Sequence, residues 1–175
     1  MRRPLSTELR RGVGIWAALP LAVAMVAVAL AHPRDWASDW YGWAYYLRTA
    51  LIVFGPLVVA AAAWQGGRER RRGMVELLGS ASRSPLQQAS ASVASPAVWS
   101  LVAFTAAAGA MAAVTASYAA YGRPPVLLAL SAAAAVVMFA ALGFVAGRLV
   151  PWRVTAPLLA VAAYTATSSI IGLAG

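Results

Sequence analysis

WQGGRERRRGMVELLGSASR, residues 64–83, breaks an otherwise apolar chain with five arginines (Arg68, Arg70, Arg71, Arg72 and Arg83) and two glutamates (Glu69 and Glu76). An apolar run over residues 45–64 leads into it, and another, over 97–121, follows. A charged segment held between two runs of membrane length sits on one face of a bilayer, and short loops rich in Lys/Arg stay on the cytoplasmic face. Within the break, Met74, Leu77 and Leu78 fall three and four residues apart. That spacing predicts a short helix over 70–78 with those side chains on one face, and Gly79 is a suitable stop. A cationic loop of this kind is either a docking surface for a soluble partner or a solvated anchor that meets only lipid head groups. The loop alone favours neither.

Composition sets the class. Of 175 residues, 62% are hydrophobic and 11% charged, whereas soluble domains are nearer half apolar and one quarter charged. Several apolar stretches of 18 or more residues point to an all-α, polytopic helical membrane protein. The net charge of +9 fits cytoplasmic anchoring better than nucleic acid, because most arginines flank apolar runs and do not cover a soluble face. Cysteine is absent, which excludes disulfides, thiolate metal sites and cysteine nucleophiles. Lysine is absent too. A phosphate-binding G-x-x-x-x-G-K-[ST] loop is therefore impossible, and any ATP hydrolysis belongs to another chain.

Taken in order, residues 1–11 carry Leu5 and Leu9 four apart among Arg2, Arg3, Arg10 and Arg11, which reads as a basic interfacial helix on an anionic surface. The run over 12–31 exceeds the roughly 7–15 residues of a signal-peptide core, so it is taken as the first of five spanning helices, with a kink at Pro20. The others are expected at about 45–64, 97–121, 126–147 and 154–174, with bends at Gly55-Pro56 and an interruption at Pro157. The connection over 32–43 carries Trp36, Trp40, Tyr41 and Trp43, an aromatic belt at head-group depth. Asp35 and Asp39, with His32 nearby, read as solvated loop residues and not as a metal or acid–base site. With the N-terminus inside, eleven arginines face the cytoplasm and three (Arg34, Arg48 and Arg123) face out, as the positive-inside rule requires. Residues 65–96 then form a cytoplasmic loop.

The spans hold almost no ionisable groups, which disfavours proton relays and ion pumps. Their polar content is hydroxyl. Thr105, Thr115, Thr165, Thr167 and Ser168 are candidates for a cargo path, although such hydroxyls more often bond back to their own helix. Gly143 and Gly147 form a G-x-x-x-G that permits close helix approach without naming a partner. No G-x-S-x-G or H-E-x-x-H occurs, so the sequence offers no catalytic set, no metal site and no cofactor site.

The elements Ala63-Trp64, Gly67-Arg68-Glu69-Arg70-Arg71, Glu76-Leu77-Leu78 and Arg83 resemble the first cytoplasmic loop of bacterial type-2 ABC transporter permeases, in the arginine- and alanine-rich style of the actinobacterial branch. The resemblance covers the whole chain in layout, but in residue detail only this loop and the N-terminal segment. It implies the membrane subunit of an ATP-driven exporter in the bacterial inner membrane, working as a homodimer or heterodimer, with ATP bound by a separate ATPase subunit. The loop would then hold a coupling helix. Arg68, Glu69, Arg70, Arg71 and Glu76 are the expected polar contacts to the ATPase, and Met74, Leu77 and Leu78 its apolar face. Members of that family have six spans where five are counted here. A truncated chain, the front part of a longer permease and a divergent copy all remain open. The alternative from another class is a non-transporting membrane scaffold or assembly protein anchored by its basic loops.

Overall fold

The computed structural model of the chain describes residues 14–31, 33–71, 85–119 and 122–172. They form five long helices and, among the described residues, no strand: α1 (Gly14–Ala31), α2 (Trp40–Gly66), α3 (Pro85–Tyr118), α4 (Val126–Leu149) and α5 (Thr155–Gly172). A 3-10 turn, Pro33–Asp35, precedes α2, and a four-residue helical turn, Arg68–Arg71, follows it. Three stretches are long and apolar enough to cross a membrane, namely Trp40–Gly66, Ala94–Tyr118 and Val126–Leu149. The expected basic helix over 1–11 lies outside the described residues.

Helix α2 is the hub. It packs along α4 and α5 and also meets α1 and α3, while α4 and α5 touch each other sparingly. Its direction relative to its neighbours follows from specific contacts. Val59 and Ala63 of α2 lie against Gly143 and Gly147 of α4, and Gly55 lies against Phe139, so both helices advance together and run parallel. Against α3 the order reverses. Trp36 meets Thr115, Trp43 meets Ala108 and Phe54 meets Phe104, so α3 is antiparallel to α2. Helices α2 and α4 therefore point the same way, with α3 reversed beside α2. One end of the bundle carries Trp36, Trp40 and Trp43, and the other carries Trp64, the Arg68–Arg71 turn and Arg153.

Several boundaries differ from the sequence reading, each for a local reason. Helix α2 starts at Trp40 and not near residue 45, because Asp39 is its N-cap: extended at φ −152°, it accepts a 2.6 Å hydrogen bond from the Gly42 N–H. A carboxylate there satisfies one of the orphan N–H groups of the first turn. Asp39 is thus a structural cap. Helix α3 begins at Pro85, twelve residues before the expected start. Its Leu, Gln and Ala residues are good helix formers, Pro85 suits a helix start, and Pro96 is absorbed inside the helix. Pro157 does not interrupt α5. It lies in the first turn, where its missing N–H has no intrahelical partner to lose.

The tryptophans also divide differently. The loop aromatics were expected to form one belt, yet Trp36 and Trp43 are buried and close the bundle from within. Trp36 Nε1–H donates to the Ala29 carbonyl at 2.9 Å, and Trp43 Nε1–H to the Ala108 carbonyl at 3.3 Å. Buried indoles need such acceptors. The exposed belt consists instead of Tyr41, Tyr45 and Tyr118 at this end and Trp64 and Trp152 at the other. Thr115, wholly buried on α3, donates from Oγ1 to the Trp36 carbonyl at 3.4 Å. Replacing it with valine, which keeps the shape, should lower stability by no more than about 1 kcal/mol. Unfolding by a denaturing detergent would check this, and a loss several times larger would mean that the hydroxyl organises more than this one bond.

Candidate functional site

The foot of the basic loop is built from four glycines. Gly66 and Gly67 end α2, and Gly143 and Gly147 sit one turn apart on α4. A Cβ on Gly143 would strike the Val59 carbonyl, one on Gly147 the Ala63 carbonyl, and one on Gly66 the Phe144 carbonyl. A Cβ on Gly67 would meet the Gly147 carbonyl at 3.0 Å and also Arg71. The two backbones are in direct contact here. This is the arrangement by which small residues let membrane helices gain dispersion energy without a hydrophobic driving force between them.

Immediately beyond the glycines, Arg71 folds back over α2. Its guanidinium lies 4.5 Å from the centroid of the Trp64 ring, and its Nη2 donates to the Trp64 carbonyl. Both contacts are favourable: a cation over an indole face, and a cation on the last carbonyls of a helix. Partial burial, and after it the charge of Arg153, hold Arg71 below the usual arginine value. Arginine titrates so far above neutrality that the side chain stays charged.

Of the residues proposed to contact a partner, Arg68, Glu69, Arg70 and Arg71 fall in the turn, with Arg70 exposed and Arg68 partly so. Arg71 is engaged within the chain by its stack on Trp64. Met74, Glu76, Leu77 and Leu78, and with them the predicted helix over 70–78 beyond Arg71, lie outside the described residues.

The hydroxyls considered for a cargo path are not gathered along one lining. Thr105 is exposed on α3 and bonds to the Leu101 carbonyl at 2.8 Å, whereas Thr115 is sealed against Trp36. On α5, Thr165 is exposed and bonds to the Ala162 carbonyl, and Thr167 bonds to the Ala163 carbonyl. Ser168 Oγ is buried without a hydrogen-bond partner among the described residues. Both helices pack on α2, with little or no contact between them. Among the described residues no three His, Asp or Glu side chains gather as a metal site would require.

Comparison with known protein families, with curated proteins and with solved structures finds no match to this chain. Function has to be argued from the geometry. Sequence reasoning noticed the Gly143–Gly147 pair but not its seat on Val59 and Ala63, since alanine-rich helices contain many equivalent small-residue spacings. It also placed Arg71 and Arg153 on one side, and the parallel packing of α2 and α4 puts the Arg68–Arg71 turn and Arg153 at one end of the bundle.

Proposed function

We propose that the chain is the membrane-spanning subunit of an ATP-driven exporter of the type-2 ABC class, embedded in a bacterial inner membrane with the arginine end cytoplasmic. Its ATPase is a separate subunit that docks on the loop after α2. The observation that supports this most is the joint at the foot of that loop. Helix α2 is keyed to α4 through four glycines, and Arg71 clips the following turn back onto Trp64. A load applied to the loop would pass into two spans at once. The nature of the partner comes from the resemblance of the loop sequence, and the docking contacts are assigned to Arg68, Glu69, Arg70, Met74, Glu76, Leu77 and Leu78.

Co-purification tests this. An ATPase carrying a phosphate-binding loop should accompany the wild-type chain and be lost from L77D/L78D, which should still insert in the membrane. Undiminished co-purification removes the coupling role from that face. Orientation is checked separately: a reporter fused after Gly79 should stay in the cytoplasm, and one fused after Trp40 should reach the exterior. The scatter of the hydroxyls, three of which bond back to their own helix, favours a second reading, the non-transporting scaffold. It predicts the same orientation without any ATPase partner.

A further inference from the structure

Helix α3 carries two anomalies side by side. Pro96 lies inside it, and Ser95, 4% exposed, has a buried Oγ with no hydrogen-bond partner among the described residues. Hydroxyls elsewhere in the bundle behave differently. Thr105 and Ser117 on the same helix, Thr49 on α2 and Ser131 on α4 each donate to a carbonyl three or four residues back. The carbonyl three residues before Ser95 is that of Ser92. It lacks its helical donor, because Pro96 has no N–H and the proline ring presses against that carbonyl. A donor and a matching acceptor thus stand one turn apart with the bond between them unmade.

A buried hydroxyl left unpaired costs stability, and the more so where no water can reach it. Packing offsets that cost: Ser95 and Pro96 are both buried, and α3 lies against α1 and α2. The two effects oppose each other. Packing holds α3 as it is described here. The unmade bond favours a sharper bend, since a residue before proline is pushed out of the helical region and a serine that bonds back along its helix bends it.

We propose that α3 hinges at Ser95–Pro96, switching between this conformation and a more sharply bent one in which Ser95 Oγ–H donates to the Ser92 carbonyl. The apolar stretch of α3 begins at Ala94, so the hinge sits at the rim of the membrane-length segment. Residues 85–94 form the moving arm. Antiparallel packing puts that arm at the end of the bundle where α2 finishes. The arm is about 15 Å long, and a change of about 20° moves its tip by about 5 Å. The hinge holds whether or not an ATPase docks on the loop.

The chain has no cysteine, so Q88C/L149C places one spin label on the arm and one at the exposed end of α4. Double electron–electron resonance on the full labelled chain in lipid nanodiscs should give two distance populations, up to about 5 Å apart. P96A restores an N–H to the Ser92 carbonyl and should leave one population. S95A should cut the population that P96A lacks about threefold relative to the other, the worth of one hydrogen bond between membrane-embedded groups. S117A, which removes a self-bonded hydroxyl from the exposed side of the same helix, should leave the ratio unchanged. If P96A loses its helical circular dichroism, S95A against S117A decides the matter. A single population in the labelled parent chain, an unchanged ratio in S95A, two populations in P96A, or an equal change in S117A would overturn the hinge.

Discussion

Gly147→Ala is expected to destabilise the protein by about 1–3 kcal/mol, and Gly147→Leu to prevent stable assembly of α2 with α4. The added carbon would collide with the Ala63 carbonyl, and also with its carbon and Cα. Backbone has no rotamer to swing away, so the helices must separate. Separation then loosens the neighbouring contacts of Gly143 and Gly66 as well. Gly109 on α3 is the control, because nothing lies within 4 Å of where its Cβ would be. Gly109→Ala should be neutral or stabilising by up to about 1 kcal/mol, since glycine is a poor helix residue. Unfolding in mixed micelles with increasing dodecyl sulfate measures both. Equal stability of Gly147→Ala and the wild type would show that the helices are not in backbone contact.

Trp36→Ala should cost about 3–5 kcal/mol, in the range for removing a large buried ring. Trp36 is 3% exposed and joins three helices. Its indole donates to Ala29 at the end of α1, its carbonyl accepts from Thr115 of α3, and its ring lies 6.4 Å from that of Tyr46 on α2. Truncation leaves a void and takes the donor from the Ala29 carbonyl. Trp36→Phe should fall between, keeping part of the packing and losing the bond. Loss of near-ultraviolet circular dichroism at lower denaturant would report both variants. An alanine variant as stable as the wild type would mean that the ring faces lipid, where nothing closes over it.

The helices themselves were legible because runs of Val, Leu and Ala of membrane length have few other folds. The alternation of α2, α3 and α4 was legible from apolar runs of membrane length joined by polar connections. Caps and ends were harder, because Asp39 acts through a single backbone bond and Pro157 through its place in a first turn, and neither is visible in hydropathy. Burial was hardest. Trp36 and Tyr41 look alike in sequence, yet one is interior and the other 77% exposed, since their orientation depends on where α3 lies. The candidate site was read in part. The arginines were found by charge, but the seat of Arg71 on Trp64 and the glycine contact beside it were not, because neither has a distinctive spelling in sequence.

With Gly143 and Gly147 nested beneath the carbonyls of Val59 and Ala63, helices α2 and α4 cannot creep past one another by small amounts. Any slip would have to jump a full helical pitch, about 5.4 Å, before the bumps fit again. The two therefore tilt as a single plank. Bending of the bundle is then absorbed at the outer neighbours, above all at α5, which leans on one member of the plank and barely touches the other.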